Sequence, residues 1–320
     1  MKVTEHLQTA QKAEKTLISY EILPPLKGGT MHDIFKVLDP LMEFKPAFID
    51  VTYHRQEFIY KKRPSGYFEK TSMRKRPGTV GICAALQHHY GVDAVPHLIC
   101  GGFSREETEA ALIDLHFLGI QNILALRGDP RKDEGRFIAE PDGNTFALDL
   151  VKQITDMNQG VYLDDTIQGK GTDFCVSVAC YPEKHFEAPN LAQDLLHLKA
   201  KVDAGAEYLV TQMFFDNQKY FDFVKACREA DIHVPIIPGL KPITNFKQLT
   251  GIPRLFFIDF PHELVSEMTK AQDDPVAVRN IGIEWCIAQS LELKAAGAPC
   301  LHYYTMGDVP TIKRISEAVA

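Results

Sequence analysis

The sequence has no Cys-x-x-Cys pair, although it contains seven cysteines: Cys83, Cys100, Cys175, Cys180, Cys227, Cys286 and Cys300. Scattered, odd in number and several of them in apolar segments, they read as reduced core thiols, not as a disulfide framework. No apolar run approaches the ~18 residues of a membrane span. The polar start, MKVTEHLQTAQKAEK, lacks the hydrophobic centre of a signal peptide. Basic residues are not in excess: a net charge of −7 and a pI near 6.0 argue against a general nucleic-acid binder. No Gly-x-Gly-x-x-Gly follows an apolar run, and there is no P-loop or Gly-x-Ser-x-Gly. No lysine stands at a strand end to form a Schiff base. His97-x-x-Cys100 and His88-His89 come nearest to metal ligands, but neither has standard spacing with partners, so no metal site is expected. These absences leave a cytoplasmic globular protein acting without membrane or nucleic acid.

What remains is an ordinary globular composition, 45% hydrophobic and 24% charged over 320 residues, enough for a large core. Short apolar, β-branched runs at 17–22, 48–53, 94–99, 122–127, 174–181, 208–213, 234–239 and 301–305 alternate with helical patterns. Ser104 and Glu107 form a capping box for a helix ending at Gly119. Helical spacing also marks 190–205, 217–230 and one or two helices in 262–296. Eight buried-type strands alternating with helices predict an α/β fold, a (β/α)8 TIM barrel, in one domain over 1–320. A doubly wound open sheet is the alternative. Segments 60–78, 130–144 and 157–172 read as long loops. The first holds seven Lys/Arg against one Glu and is either a solvated flank or an attractor of anions.

Strand alternation gives the next expectation. In a barrel, every second residue points inward and the last one faces the mouth. Ser19 and Glu21 share one face of the first strand, opposite Ile18, Tyr20 and Ile22. The same parity places Thr52, His97, Asp129, Tyr181 and Gln212 at the ends of the next five, with Ala125, Arg127 and Asp129 on one face. A barrel built only for stability has no use for six polar side chains at one end. Glu21, next to Ile22, Leu23, Pro24 and Pro25, is suited to a raised pKa and the role of general acid. Asp129 would supply a second carboxylate. The Arg-Gly-Asp within ILALRGDP (123–130) would mark an adhesive loop only in an exported protein, which nothing here supports.

In these residues the chain resembles methylenetetrahydrofolate reductases of the bacterial single-domain form. The matching pieces run in order: SYEILPP (19–25), FIDVTY (48–53), PHLIC (96–100), ALRGDP (125–130), FALDLV (146–151), ACYPEKH (179–185), AQDLLHLKAKVDAGA (192–206), VTQMFFD (210–216), IIPGLKPITNFKQL (236–249) and HYYT (302–305). The resemblance implies a barrel that holds FAD at the C-terminal ends of its strands. NADH or NADPH would serve as co-substrate and 5,10-methylenetetrahydrofolate as the folate substrate, reduced to 5-methyltetrahydrofolate for methionine synthesis. It assigns Glu21 as the acid and Asp129 as the carboxylate that stabilises the cationic intermediate. Gln212 and Gln248 would contact substrate. Thr52, Tyr53, His97, Arg127, Gly128, Asp129, Ala147, Tyr181, His185, Asp194, His197 and Lys201 would contact FAD. It also implies a homo-oligomer.

The chain departs from relatives in three places. His197 stands where some carry Asn, VTYHR replaces small residues after Thr-Tyr, and the loops at 54–80 and 157–172 are long. No eukaryotic C-terminal regulatory domain is recognised, so inhibition through it is not expected. A flavin-independent barrel lyase or isomerase, or a folate- or flavin-binding protein without turnover, are the alternatives. The Glu21, Asp129 and Gln212 set argues against a binding protein without turnover.

Overall fold

The eight apolar runs become parallel strands because each is buried on both sides, by helices outside and by other strands' side chains inside. A computed structural model describes residues 1–131, 134–167 and 169–320. In chain order the strands are β1 (Leu17–Ile22), β2 (Phe48–Val51), β3 (Glu57–Lys62), β4 (Phe68–Met73), β5 (Asp93–Ile99), β6 (Asn122–Leu126), β7 (Cys175–Cys180), β8 (Tyr208–Thr211), β9 (Ile236–Ile237), β10 (Gly239–Leu240) and β11 (Cys300–Tyr304). The main sheet runs β10-β11-β1-β2-β5-β6-β7-β8-β9, all parallel.

β9 and β10 are two halves of one strand, so the sheet closes into the predicted eight-stranded barrel. Pro238 splits that strand because it has no N–H for the ladder. Its carbonyl still accepts from His302 N at 3.1 Å. Gly239 N donates to the Thr211 hydroxyl at 2.9 Å, so a side chain supplies a link that main chain does not. A Cβ on Gly239 would stand 2.3 Å from Thr211 O, which is why a glycine fits there.

Eleven helices accompany the ring: α1 (Val3–Lys12), α2 (Met31–Leu38), α3 (Thr79–Tyr90), α4 (Arg105–Phe117), α5 (Ala147–Asn158), α6 (Leu191–Asp203), α7 (Asn217–Glu229), α8 (Gln248–Phe256), α9 (His262–Lys270), α10 (Pro275–Ala295) and α11 (Val309–Val319) among the described residues. The Ser104–Glu107 capping box is present: Ser104 Oγ accepts from Glu107 N, and the Glu107 carboxylate accepts from Ser104 N. Outward phenols pin strands to helices. Tyr20 hydrogen-bonds Ser316 at 2.8 Å, and Tyr303 donates to Ser290 at 2.9 Å. All seven cysteines are buried and free. No described helix is long and apolar enough to cross a membrane.

Two regions differ from the expectations. Much of the supposed basic loop is an antiparallel hairpin, β3 with β4. Its turn is built on Gly66 (φ +87°), with Gly66 N donating to Arg63 O and Arg63 N to Tyr67 O. Several of its charges are paired, Arg63 with Glu69 and Lys75 with Glu57. Dense lysines and arginines hid the strand alternation. The second is α1, whose polar sequence gave little sign of a core role. Val3 and Leu7 are buried against Phe48, Val95, Leu124 and Cys175, which face into the barrel. Asn122 Oδ1 accepts from Val3 N, and His6 meets Asp93 at 2.7 Å. This helix closes the floor of the ring. Leu7→Ala should therefore lower stability by about 2–5 kcal/mol, as buried Leu truncations do. A denaturant midpoint equal to the parent's would mean that α1 does not pack as a plug.

Candidate active site

Register fixes which side chains meet inside the ring. On β1, Leu17, Ser19 and Glu21 lie beside Cys300, His302 and Tyr304 of β11, and Glu21 lies beside Asp50 of β2. Barrel interiors are usually filled with Val, Ile and Leu. Here the middle is polar, with Ser19, Asp50, His97, Ser177 and His302 all buried. Ser19 Oγ meets His302 Nδ1 at 2.8 Å, and Ser177 donates to Ile123 O at 3.1 Å. His97 Nε2 stands between two carboxyls, 3.3 Å from Asp50 Oδ2 and 3.6 Å from Glu21 Oε2. Asp50 is fully enclosed, whereas the Glu21 side chain keeps 15% of its exposure, toward the mouth. Thr305 at the end of β11 holds the Glu21 carbonyl with both its N–H and its hydroxyl.

The electrostatics follow from burial. Desolvation, with a contribution from Asp50, raises Glu21 to about 7 against the lowering pull of His97. Desolvation raises Asp50 to about 7 against the pull of His302. Burial pushes His97 and His302 below the usual imidazole range, opposed by Glu21 and Asp50 respectively. These directions favour neutral imidazoles and carboxyls that keep protons to higher pH than free ones do, which suits a general acid.

A second group gathers where β6 and β7 meet α6. Tyr181 and His185 pack edge to face at 4.7 Å. Asp194 accepts from His185 N at 2.8 Å, and Lys201 Nζ reaches Ala179 O at 3.1 Å. Arg127 pairs with Glu187 at 2.5 Å and lies over the Phe137 ring. Burial raises Tyr181 and lowers His185 and Lys201. Asp194 and Arg127 both act on Tyr181 and on His185, which makes the four one electrostatic unit.

The remaining candidates lie as follows. Thr52 closes β2, its hydroxyl donating to Ile22 O at 3.3 Å. Tyr53 accepts from Arg74 at 2.9 Å, packs on Phe103 and lines a cavity of about 530 Å³ beside α3. Ala147 opens α5. Gln212 follows β8 and accepts from Met213 N. Gln248 turns to Thr244 N and Asn245 N, and the exposed His197 on α6 meets Gln193, so both have local partners. Parity holds for Glu21, Thr52, His97, Tyr181 and Gln212 and fails on β6. There Leu124 and Leu126 belong to the inner cluster, while Ala125 packs in the outer one. Gly128, at φ +84°, then resets the alternation, and Asp129 emerges exposed, acting on Tyr181 and His54. Sequence reasoning missed Asp50 and His302. Each sits two residues from an inward neighbour, so the same parity would have found them.

The pH dependence of folding follows with a definite sign. From about pH 4, where the unfolded chain gives up these protons, to about pH 7, where the folded protein does, Glu21 and Asp50 stay protonated only when folded, so their contribution falls as pH rises through that window. His97 and His302, depressed, contribute in the opposite sense. Asp50→Asn should therefore gain stability relative to the parent between about pH 5 and about pH 7. Melting temperatures of the two proteins that keep a constant difference across that range would refute the assignment.

Comparisons with known proteins bear on the family and the fold. The family model described as methylenetetrahydrofolate reductase matches residues 6–320. An Arabidopsis thaliana protein, "Methylenetetrahydrofolate reductase (NADH) 1", is 32% identical over 315 residues, covering 96% of this chain and 48% of its own length. The Escherichia coli "5,10-methylenetetrahydrofolate reductase" is 32% identical over 289 residues, covering 90% of this chain and 86% of its own. The chain thus spans about half the length of the eukaryotic relatives it matches. Among solved structures, a Clostridium thermocellum protein described as binding two copies of 5-methyl-5,6,7,8-tetrahydrofolic acid superposes with a TM-score of 0.57 at 15% identity, over 98% of this chain and 97% of its own. That likeness shows the fold alone. From the family match across nearly its whole length, the chain belongs to the methylenetetrahydrofolate reductase family.

Proposed function

We propose that this chain reduces 5,10-methylenetetrahydrofolate to 5-methyltetrahydrofolate with electrons from NADH or NADPH through FAD, feeding methionine synthesis. Family membership supports the reaction, and relatives named for NADH and for NADPH support a nicotinamide co-substrate. The observation that carries the reading is Glu21. It is a carboxyl at the mouth that burial keeps protonated up to about 7, over a neutral histidine.

The residues near the mouth fit FAD by their chemistry. Arg127 and Lys201 are cations suited to a diphosphate. Asp194 is an acceptor suited to ribose hydroxyls, and the Tyr181–His185 pair offers an aromatic surface. Gly128 takes the left-handed turn that ends β6 and leaves room for Ile99, which a Cβ would meet at 3.3 Å. Together with Thr52, Tyr53, His97, Asp129, Ala147, His185 and His197 these are the residues proposed to line the cofactor. When bound, the flavin supplies hydride transfer between nicotinamide and folate.

The chain's own contribution is to protonation and charge. Glu21 gives its proton to the nitrogen that leaves as the folate five-membered ring opens, and becomes a carboxylate. Opening leaves a cationic iminium, which the exposed Asp129 carboxylate stabilises. Gln212, at the end of β8, and Gln248 are proposed to orient the pterin.

The two halves of the reaction separate these roles. In anaerobic stopped flow, Glu21→Gln should still be reduced by NAD(P)H but should lose folate reduction by about 10²–10⁴-fold, the usual value of a general acid. Equal losses in both halves would remove the acid role. Asp129→Asn should keep FAD and slow folate reduction by about tenfold, equivalent to about 1.4 kcal/mol. A variant as fast as the parent would take Asp129 out of the reaction.

A further inference from the structure

Asp50 lies deeper in the barrel than any group the proposed chemistry requires. Its carboxyl is fully enclosed. Oδ2 faces His97 Nε2 at 3.3 Å, while Oδ1 has no hydrogen-bond partner among the described residues. The same His97 nitrogen is 3.6 Å from Glu21 Oε2. One ring N–H donates well to one carboxylate, not to two. Two ionised carboxylates around one neutral imidazole, away from water, repel each other, and the arrangement relaxes by keeping a proton between them. The protons then belong to the group and not to one residue.

We infer that Asp50 is a positioning residue for the acid step: through the shared Nε2 of His97 it and Glu21 hold protons in common, so that Glu21 meets the substrate protonated. The inference rests on the acid role proposed for Glu21. When Glu21 gives up its proton the group holds one fewer, and the replacement comes from water at the mouth, where Glu21 alone of the three opens appreciably. Asp50 acts on substrate only through His97 and Glu21.

The surroundings are consistent with this. Asp50 is faced by Glu21 on β1, His97 on β5, Tyr208 on β8, Cys300, His302 and Tyr304 on β11, and, across its own strand, Cys83 on α3. Glu21 is faced also by Tyr304, and His97 by His54 and His302. No lysine or arginine is among these groups, so among the described residues no fixed positive charge faces either carboxyl. Burial raises both carboxyls and lowers the imidazole, the directions that proton sharing requires.

The test follows the pH dependence of folate reduction by FAD-reconstituted, pre-reduced enzyme from about pH 6 to about pH 9. Asp50 raises Glu21, so Asp50→Asn should move the alkaline limb to lower pH by about half a unit or more. Flavin reduction by NAD(P)H, measured on the same samples, should show no matching shift. A purely structural defect would depress both half-reactions without moving a limb. An unmoved limb, or equal movement in both halves, overturns the inference. Glu21→Gln separates the two levels. If it retains folate reduction, the acid role fails and this inference falls with it. If it abolishes folate reduction while Asp50→Asn leaves the limb in place, only the sharing is wrong. Parent protein gives a check that needs no variant. pH-difference infrared spectra should show carboxylic acid bands persisting to about pH 7, and their loss by about pH 5 would overturn the proposal.

Discussion

A carboxylate cannot sit in the middle of a barrel unless something answers its charge, and Asp50 sets that constraint for the whole interior. Desolvation of an isolated charge is too costly to leave uncompensated. The protein answers with His97 on one side and, through electrostatics, His302 on the other, while the carboxyl itself drifts toward neutrality. His302 is in turn held by Ser19 and set against the Phe48 ring. An inner layer that would ordinarily be branched aliphatics becomes a polar column, with Glu21 at its upper end.

A polar column has to be held in register, and the neighbouring elements do that. Below it, α1 covers the floor with Val3 and Leu7. Beside it, the short seam at 236–240 closes the ring with Gly239 N on the Thr211 hydroxyl, and Tyr304 reaches across to Thr211 O at 2.6 Å. Outside, Tyr20 and Tyr303 lock β1 and β11 onto α11 and α10. Those two strands carry Ser19, Glu21 and His302, so the same tethers that stabilise the wall fix the polar groups on its inner face.

Much of this was legible in the sequence, because period-two alternation in a buried parallel strand survives any loop. It gave the eight strands and the inward set Ser19, Glu21, Thr52, His97, Tyr181 and Gln212. It failed where backbone geometry breaks the period: Gly128 turns the chain, and Asp129 comes to the mouth by that turn and not by parity. Asp50 and His302 lie in mid-strand and not at strand ends, although FIDV and LHYY place them on the inner face. The β3–β4 hairpin was masked by lysines and arginines on both of its faces. The role of α1 was hidden because two buried residues among polar neighbours make a faint stripe. The grouping of Arg127, Tyr181, His185, Asp194 and Lys201 came from resemblance, since sequence spacing does not reveal which loops converge.

The plug formed by α1 has a consequence for traffic. A barrel sealed at its floor presents its polar column at one end. Among Glu21, His97 and Asp50, Glu21 alone keeps appreciable exposure, so protons bound for the two beneath it enter and leave by that single door.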